Sequence, residues 1–290
     1  MENNILLGTD LYMSNHDMKT VLFSKGFKSK SPEELVGIAK ECGVDGYDLC
    51  IRRGHQVTPD NVSSELKKLA GILHANGLEI PMVSGEGSLL YPDDPTAVPI
   101  LRAMADSGIR FLKLGYFIFD SKKNDYTVEV NKVRRVFDGW QKLCREFDVK
   151  ICYHTHCGSC MGLNGAALAV LLKDFDPSRI GAYIDPAHLV VNGEDFDFAL
   201  AMLKDRLALV ALKDVLLTRE EKGGHGTVKI HWVEAGHGMV DWSAVFAELR
   251  RIKYDGIFSV HCEFEVPEEE FLRIVVKEVR FFRKFVGSPA

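Results

Sequence analysis

The sequence predicts a (β/α)8 barrel, in one domain over residues 1–290. Three observations lead there. Apolar runs of strand length alternate with segments of helical period along the chain. Those runs are almost unbroken, as strands are when helices cover a parallel sheet. One junction recurs: a helical segment stops, a short turn with Gly or Asp follows, and the next strand begins.

Ile5–Tyr12 is the first expected strand. Glu33–Cys42 is the first helix: Ser31 stands at the N-cap, Pro32 at N1, and Glu33 and Glu34 in the first turn. Leu35, Ile38, Ala39 and Cys42 give its apolar face. Gly43-Val44-Asp45-Gly46 turns into strand Tyr47–Ile51. Helix Ser63–Asn76 stops at Gly77, a natural left-handed terminator, before strand Leu78–Val83. Helix Thr96–Ser107 and Gly108 precede strand Arg110–Leu114. Helix Val128–Phe147 turns at Asp148 into strand Val149–Cys152. Helix Ala166–Phe175 passes Asp176-Pro177-Ser178 into strand Ile180–Ile184. Helix Phe196–Lys204 leads to strand Leu207–Leu212, and helix Trp242–Ile252 to strand Ile257–Val260. Helix Pro267–Phe285 closes the series. A doubly wound sheet is the competing architecture. It would usually carry a Gly-rich loop after the first strand, where Asp10-Leu11-Tyr12-Met13-Ser14 stands instead.

Composition narrows the partners. At 46% hydrophobic and 27% charged residues the chain has material for a large core. A net charge of -5 without a basic stripe argues against nucleic acid. No apolar stretch has membrane-spanning length, and Met1-Glu2-Asn3-Asn4 does not read as a signal peptide, so a cytoplasmic location is expected. Seven scattered cysteines, an odd number, read as reduced thiols. A small-molecule substrate and a homo-oligomer are compatible with all of this.

Three strands end abruptly in metal-type ligands. Val149–Cys152 runs into Tyr153-His154-Thr155-His156, Ile180–Ile184 into Asp185-Pro186-Ala187-His188, and Ile257–Val260 into His261-Cys262-Glu263. Imidazole and carboxylate bind borderline divalent metals. Strand C-terminal ends of such a barrel converge on one pocket. Alternation along a strand puts His154 with His156, and His261 with Glu263, on shared faces. Taken singly, each histidine reads first as a satisfied core residue; together they read as a catalytic Zn, Mn, Mg or Co site. Lys213, ending the seventh strand, reads equally as a carbonyl-polarising cation or as part of a surface Lys213-Asp214 turn. Lys113 carries the same two readings. Asp48 and Arg52 are expected to meet sugar hydroxyls or one another. The segment Gly223–Gly238, with His225, His231 and His237, is long enough for a mobile lid. Cys157-Gly158-Ser159-Cys160 reads first as two loop thiols beside the pocket, and less as a redox pair or a soft-metal site with His154 and His156.

These residues resemble the xylose-isomerase-like TIM barrels, sugar phosphate isomerases and epimerases. The resemblance covers nearly the whole chain. It rests on Gly46-Tyr47-Asp48-Leu49 with Arg52, on Tyr153-His154-Thr155-His156-Cys157-Gly158, and on Ile184-Asp185-Pro186-Ala187-His188. It continues through Leu212-Lys213-Asp214, Gly236-His237-Gly238-Met239-Val240-Asp241-Trp242, and Ser259-Val260-His261-Cys262-Glu263-Phe264. The resemblance implies a divalent metal held by Glu, Asp, His and Glu at the ends of strands five to eight. Asp185 and Glu263 match the strand-six and strand-eight ligands, and His188 matches a substrate-contacting His. Two positions depart: His154 replaces the strand-five Glu, and Ala211 the strand-seven His.

The expectation is a metal-dependent isomerase or epimerase that abstracts a proton next to the carbonyl of a sugar. His154, Asp185 and Glu263 would hold the metal. Lys213 would stabilise the enediolate, with Glu263, His156 or His261 moving the proton. His188, Asp48, Arg52, Lys113 and His237 would contact substrate. A keto-sugar lyase using the same enolate, a barrel that binds sugar without catalysis, and a zinc endonuclease are the competing readings.

Overall fold

The computed structural model describes residues 18–286. Eight parallel strands close into a barrel in the order β1-β10-β7-β6-β5-β4-β3-β2, and β8 with β9 form a separate two-stranded sheet. In chain order the elements are β1 (Lys19–Phe23), α1 (Pro32–Cys42), β2 (Gly46–Ile51), α2 (Val62–Ala75), β3 (Glu79–Gly85) and α3 (Ala97–Asp106). Then come β4 (Phe111–Lys113), α4 (Tyr126–Phe147), β5 (Lys150–His154), α5 (Gly165–Leu172), β6 (Ile180–Ile184), α6 (Pro186–Val191) and α7 (Phe196–Leu203). The chain continues through β7 (Leu207–Leu212), β8 (Asp214–Lys222), β9 (His225–Val233), α8 (Trp242–Arg251), β10 (Ile257–Val260) and α9 (Glu268–Val286).

Seven of the eight barrel strands fall where the apolar runs place them, within two residues at each end. The first does not. Ile5–Tyr12 lies outside the described residues, and the strand that opens the barrel is Lys19–Phe23. Its register with two neighbours fixes it there: Leu22 pairs with Val260 of β10 and Tyr47 of β2. Four buried positions in five residues are enough when both faces are covered.

Local chemistry supports these elements. Ser31 and Glu34 form a reciprocal capping box at the start of α1, and Gly43 ends that helix in the left-handed conformation. Strand alternation sorts side chains into two layers. Ile151 and Tyr153 of β5 join the large core under the helices, while Cys152 joins Val21, Met82, Tyr183, Leu209 and Ala211 inside the barrel. Ala211 therefore belongs to an apolar plug. The polar site stands above it, because β5, β7 and β10 run on to His154, Lys213 and His261.

Gly46 shows why a glycine opens β2. A side chain there would overlap the Glu79 backbone carbonyl of β3. Gly46→Ala should cost ~3 kcal/mol or prevent folding, because the obstacle is main chain rather than a movable side chain. Urea unfolding of the purified variant measures it; a loss under 1 kcal/mol would contradict this packing.

Two elements go beyond the sequence reading. Residues 214–233 form an antiparallel hairpin, in which Asp214 pairs with Val233 and Lys222 with His225. Its turn uses Gly223 and Gly224 at φ +60° and +80°, as a two-residue turn of right-handed twist requires. The expected irregular lid is thus mostly regular structure, because a Gly-Gly turn lets the two flanks pair. The other element is α6, a short helix that begins directly after Asp185.

Candidate functional site

The strand ends converge on a cavity of about 110 Å³ at the C-terminal mouth of the barrel. Phe23, Arg52, Lys113, Tyr116, His154, His156, Lys213, His261 and Glu263 are among the residues that line it. A larger hollow of about 790 Å³ opens at the opposite end, among Lys67, His74 and Arg110, without a comparable set of converging ligands.

Lys213 organises the site. Its ammonium lies 2.9 Å from Glu263 Oε2, 3.2 Å from Asp185 Oδ2 and 2.9 Å from His188 Nε2. The indole of Trp232, from the hairpin, covers it at 4.3 Å. The alternative of a surface Lys-Asp turn is excluded, since Lys213 and Asp214 are both buried. Burial opposes charge on Lys213, but Asp185 and Glu263 outweigh it and raise its pKa. The same contacts act in reverse on the carboxylates. Burial would raise Asp185, yet Lys213, His188 and His261 hold it below its ordinary value. Glu263 is pushed far below the carboxylate range by Lys213 and His261 against burial, with Lys25 2.5 Å from Oε1. A carboxylate so reluctant to accept a proton is a poor general base at neutral pH.

Asp185 divides its oxygens. Oδ1 accepts the N–H groups of Ala187 and His188 and so caps α6. Oδ2 turns to the pocket, where it forms no hydrogen bond of good geometry. His154 Nε2 is likewise buried without a hydrogen bond, 3.5 Å from Asp185 Oδ2. His154 Nδ1 is engaged by the Tyr116 hydroxyl at 2.7 Å. Burial, then Lys113 and His261, keep the His154 imidazole neutral well below its usual pKa. His154 Nε2 and Asp185 Oδ2, the latter also 3.2 Å from the Lys213 ammonium, are spaced to share one ion with bonds of about 2.0–2.2 Å. This pair can hold a divalent cation, while Glu263 stands across the Lys213 ammonium from Asp185; among the described residues only His156, Cys157 and His188 bring three such donor atoms within 4.8 Å of one another.

His261 stacks on Phe23 with ring centroids 4.3 Å apart, and its Nε2 lies 2.9 Å from the Tyr183 hydroxyl. Asp48 is placed differently from the sequence expectation. It is fully buried inside the barrel, accepts from Ser259 Oγ at 2.9 Å, and lies 3.7 Å from His261 Nε2, beneath the cavity rather than in it. Inward-facing residues of β2 below the mouth point at other strands, not at solvent. Arg52 does reach the mouth, where Nε donates to the Gly85 carbonyl and the guanidinium covers Phe23.

Lys113 differs from Lys213. It is buried, with its ammonium 3.9 Å from the Tyr116 ring centre, and no carboxylate of the described residues lies within 4.0 Å. Burial, reinforced by Arg52, pushes it down to about 7.

His237 is exposed on a turn and does not line the cavity, contrary to its expected substrate contact. The motif around it has a structural role instead. Asp214 accepts from the N–H groups of Gly236, Gly238 and Val240 and from the Trp242 indole. A side chain at Gly238 would overlap that carboxylate. His225 and His231 sit on the hairpin, the latter paired with Thr218 Oγ1 at 2.9 Å. All seven cysteines are free. Tyr116 and Trp232 were not foreseen; an aromatic ring three residues beyond β4, or within the β9 arm of a hairpin, carries no signal of its own.

The fold and the mouth together define a barrel whose polar groups meet at the C-terminal strand ends. Residues 36–285 match the model of the xylose isomerase-like TIM barrels, and the chain belongs to that family. An inosose dehydratase of Geobacillus thermodenitrificans is 28% identical over 182 residues, 59% of each chain. One from Lacticaseibacillus casei is 26% identical over 179 residues, covering 59% of this chain and 60% of its own. The alignments thus span under two thirds of the length of these curated relatives. Among solved structures, the 3-keto-D-glucoside 4-epimerase YcjR of E. coli superposes with TM-score 0.71 and 15% identity over 91% of this chain and all of its own. The zinc-bound IolI protein does so with TM-score 0.71 and 14% identity over 92% and 99%. At that identity the likeness is one of fold. Among the described residues no helix is long and apolar enough to cross a membrane.

Removal of the Lys113 charge tests the electrostatics. An unfolded lysine titrates near ~10.4, above the folded value of about 7, so the unfolded chain binds more protons between them. Stability should rise with pH across that window, and the penalty is full below it. Lys113→Met should stabilise the fold at pH 6 by roughly 1–4 kcal/mol, with the gain fading above pH ~10. Paired denaturation curves across pH measure this; an equal offset at all pH values would refute it.

Proposed function

We propose that the chain is an enzyme that abstracts a proton next to the carbonyl of a sugar or cyclic keto-polyol. The observation that carries this reading is the buried Lys213 ammonium, fixed between Asp185 and Glu263 at the cavity edge. A preorganised cation in a site of low dielectric is what a developing enediolate oxygen requires. His154 Nε2 and Asp185 Oδ2 would hold a divalent cation, with Glu263, on the far side of Lys213, drawn in as a further ligand. With Nδ1–H donated to Tyr116, His154 presents the Nε2 lone pair. Such an ion supplies Lewis acidity to a carbonyl and its hydroxyl neighbour.

Proton transfer falls to Lys113 and His261, which line the same cavity. An amine titrating at about 7 is half free at neutral pH, suited to give or take a proton. Glu263, held ionised, serves as ligand and countercharge. Arg52 and His156 at the rim contact hydroxyls, and His188 holds Lys213 in place. Reprotonation on the opposite face gives an isomer or epimer; loss of a β-hydroxyl gives a dehydrated ketone. The similarity to inosose dehydratases favours dehydration as the second outcome of one enolate.

Two measurements test the reading. Metal analysis after dialysis should show stoichiometric Zn or Mn in the wild type, with affinity falling more than tenfold in Asp185→Asn and Glu263→Gln. Unchanged metal in both variants would remove the proposed centre. In deuterium oxide, a panel of ketoses and inososes should show exchange at the carbon next to the carbonyl, about 10²–10³-fold slower in Lys213→Met. A metal-replete sample that exchanges none of them leaves the sugar-binding barrel as the better account.

A further inference from the structure

Beside the pocket, His156 and His188 of the rim meet two cysteines that take no part in the chemistry above. After β5 the chain continues through His156-Cys157-Gly158-Ser159-Cys160, and this loop packs against the first turn of α6. Cys157 Sγ lies 3.1 Å from His188 Nδ1. The His156 and His188 rings are 4.0 Å apart. One donor atom from each of His156, Cys157 and His188 lies within 4.8 Å of the other two. Cys160 Sγ stands 3.5 Å from His156 Nδ1.

The donors are held from both sides. Phe119 N–H donates to the Ser159 carbonyl at 2.7 Å, and Met161 N–H to that of Phe117 at 2.8 Å, which pins the loop to the segment after β4. Gly158, at φ +85°, makes the turn between the two cysteines. His188 is fixed by the Asp185 cap of α6.

We propose that His156, Cys157 and His188 bind a thiophilic divalent cation of the zinc type, with Cys160 as the adjacent fourth donor. Zinc takes thiolate at about 2.3 Å and imidazole at about 2.0–2.1 Å in a tetrahedron, so donors within this reach close on it by small side-chain movements. Binding at His188 Nδ1 places the ring proton on Nε2, so the Lys213 ammonium, 2.9 Å from that nitrogen, must turn away from it toward Asp185 and Glu263. The site is separate from the centre that His154, Asp185 and Glu263 would form, which has no sulfur donor. It does not depend on the sugar chemistry. Its effect is to lock the cysteine loop onto α6 beside Lys213.

Cobalt(II) titration of the metal-stripped, reduced chain tests this, because thiolate ligation gives an intense near-ultraviolet charge-transfer band that oxygen and nitrogen donors lack. The band should appear in the wild type and in Glu263→Gln, whose sulfur donors are intact. It should vanish in Cys157→Ser and weaken in Cys160→Ser, and zinc affinity of the thiolate site should fall more than tenfold in Cys157→Ser. Circular dichroism confirms that the variants fold, and Cys160→Ser gives a second reading if Cys157→Ser does not. Cobalt bound without the band, an equal band in both cysteine variants, or no cobalt bound would overturn the proposal. Loss of metal in Glu263→Gln with the band intact would bear only on the carboxylate centre.

Discussion

The mouth of this barrel depends on one buried cation. Lys213 sits between Asp185 and Glu263, and each of the three is ionised because the others are. Two carboxylates alone at this depth would repel and take up a proton. A lone ammonium would be driven neutral, as Lys113 nearby is pushed down to about 7. Pairing makes the difference, and it leaves one lysine as a permanent charge and the other as a titrating amine.

The scaffold holds that arrangement through backbone contacts as much as side chains. Asp185 belongs to α6 through one oxygen and to the pocket through the other, so the helix start and the site are one feature. Asp214 follows Lys213 directly and gathers the N–H groups of Gly236, Gly238 and Val240. That turn lies between β9 and α8, and the hairpin returns Trp232 over the Lys213 ammonium. Below them Ala211 and Tyr183 fill the barrel. The position where the family resemblance implies a histidine is thus part of the apolar plug, and the charge at this strand end comes from Lys213.

Much of this was legible in residue order. Long apolar runs followed by His154, Asp185 and His261 marked strand ends, because a covered parallel strand is mostly apolar until it leaves the sheet. Gly77 and the Ser31 cap marked helix ends by local backbone chemistry alone. The opening barrel strand, Lys19–Phe23, is too short to stand out as an apolar run, and its pairing with β2 and β10 is what identifies it, while Ile5–Tyr12 lies outside the described residues. Asp48 and His237 were expected at the pocket; one is beneath it and the other outside it.

The sequence by itself determined the alternation of strands and helices, the helix caps and the three strand ends that carry His154, Asp185 and His261, since each depends on neighbours within a few residues. Tertiary structure alone decided which groups face each other. Lys213 and Glu263 are 50 residues apart in the chain, His154 and Tyr116 are 38, and Cys157 and His188 are 31. Their protonation follows from those encounters and from burial, because a charge in a low-dielectric mouth is set by what lies within a few ångströms of it.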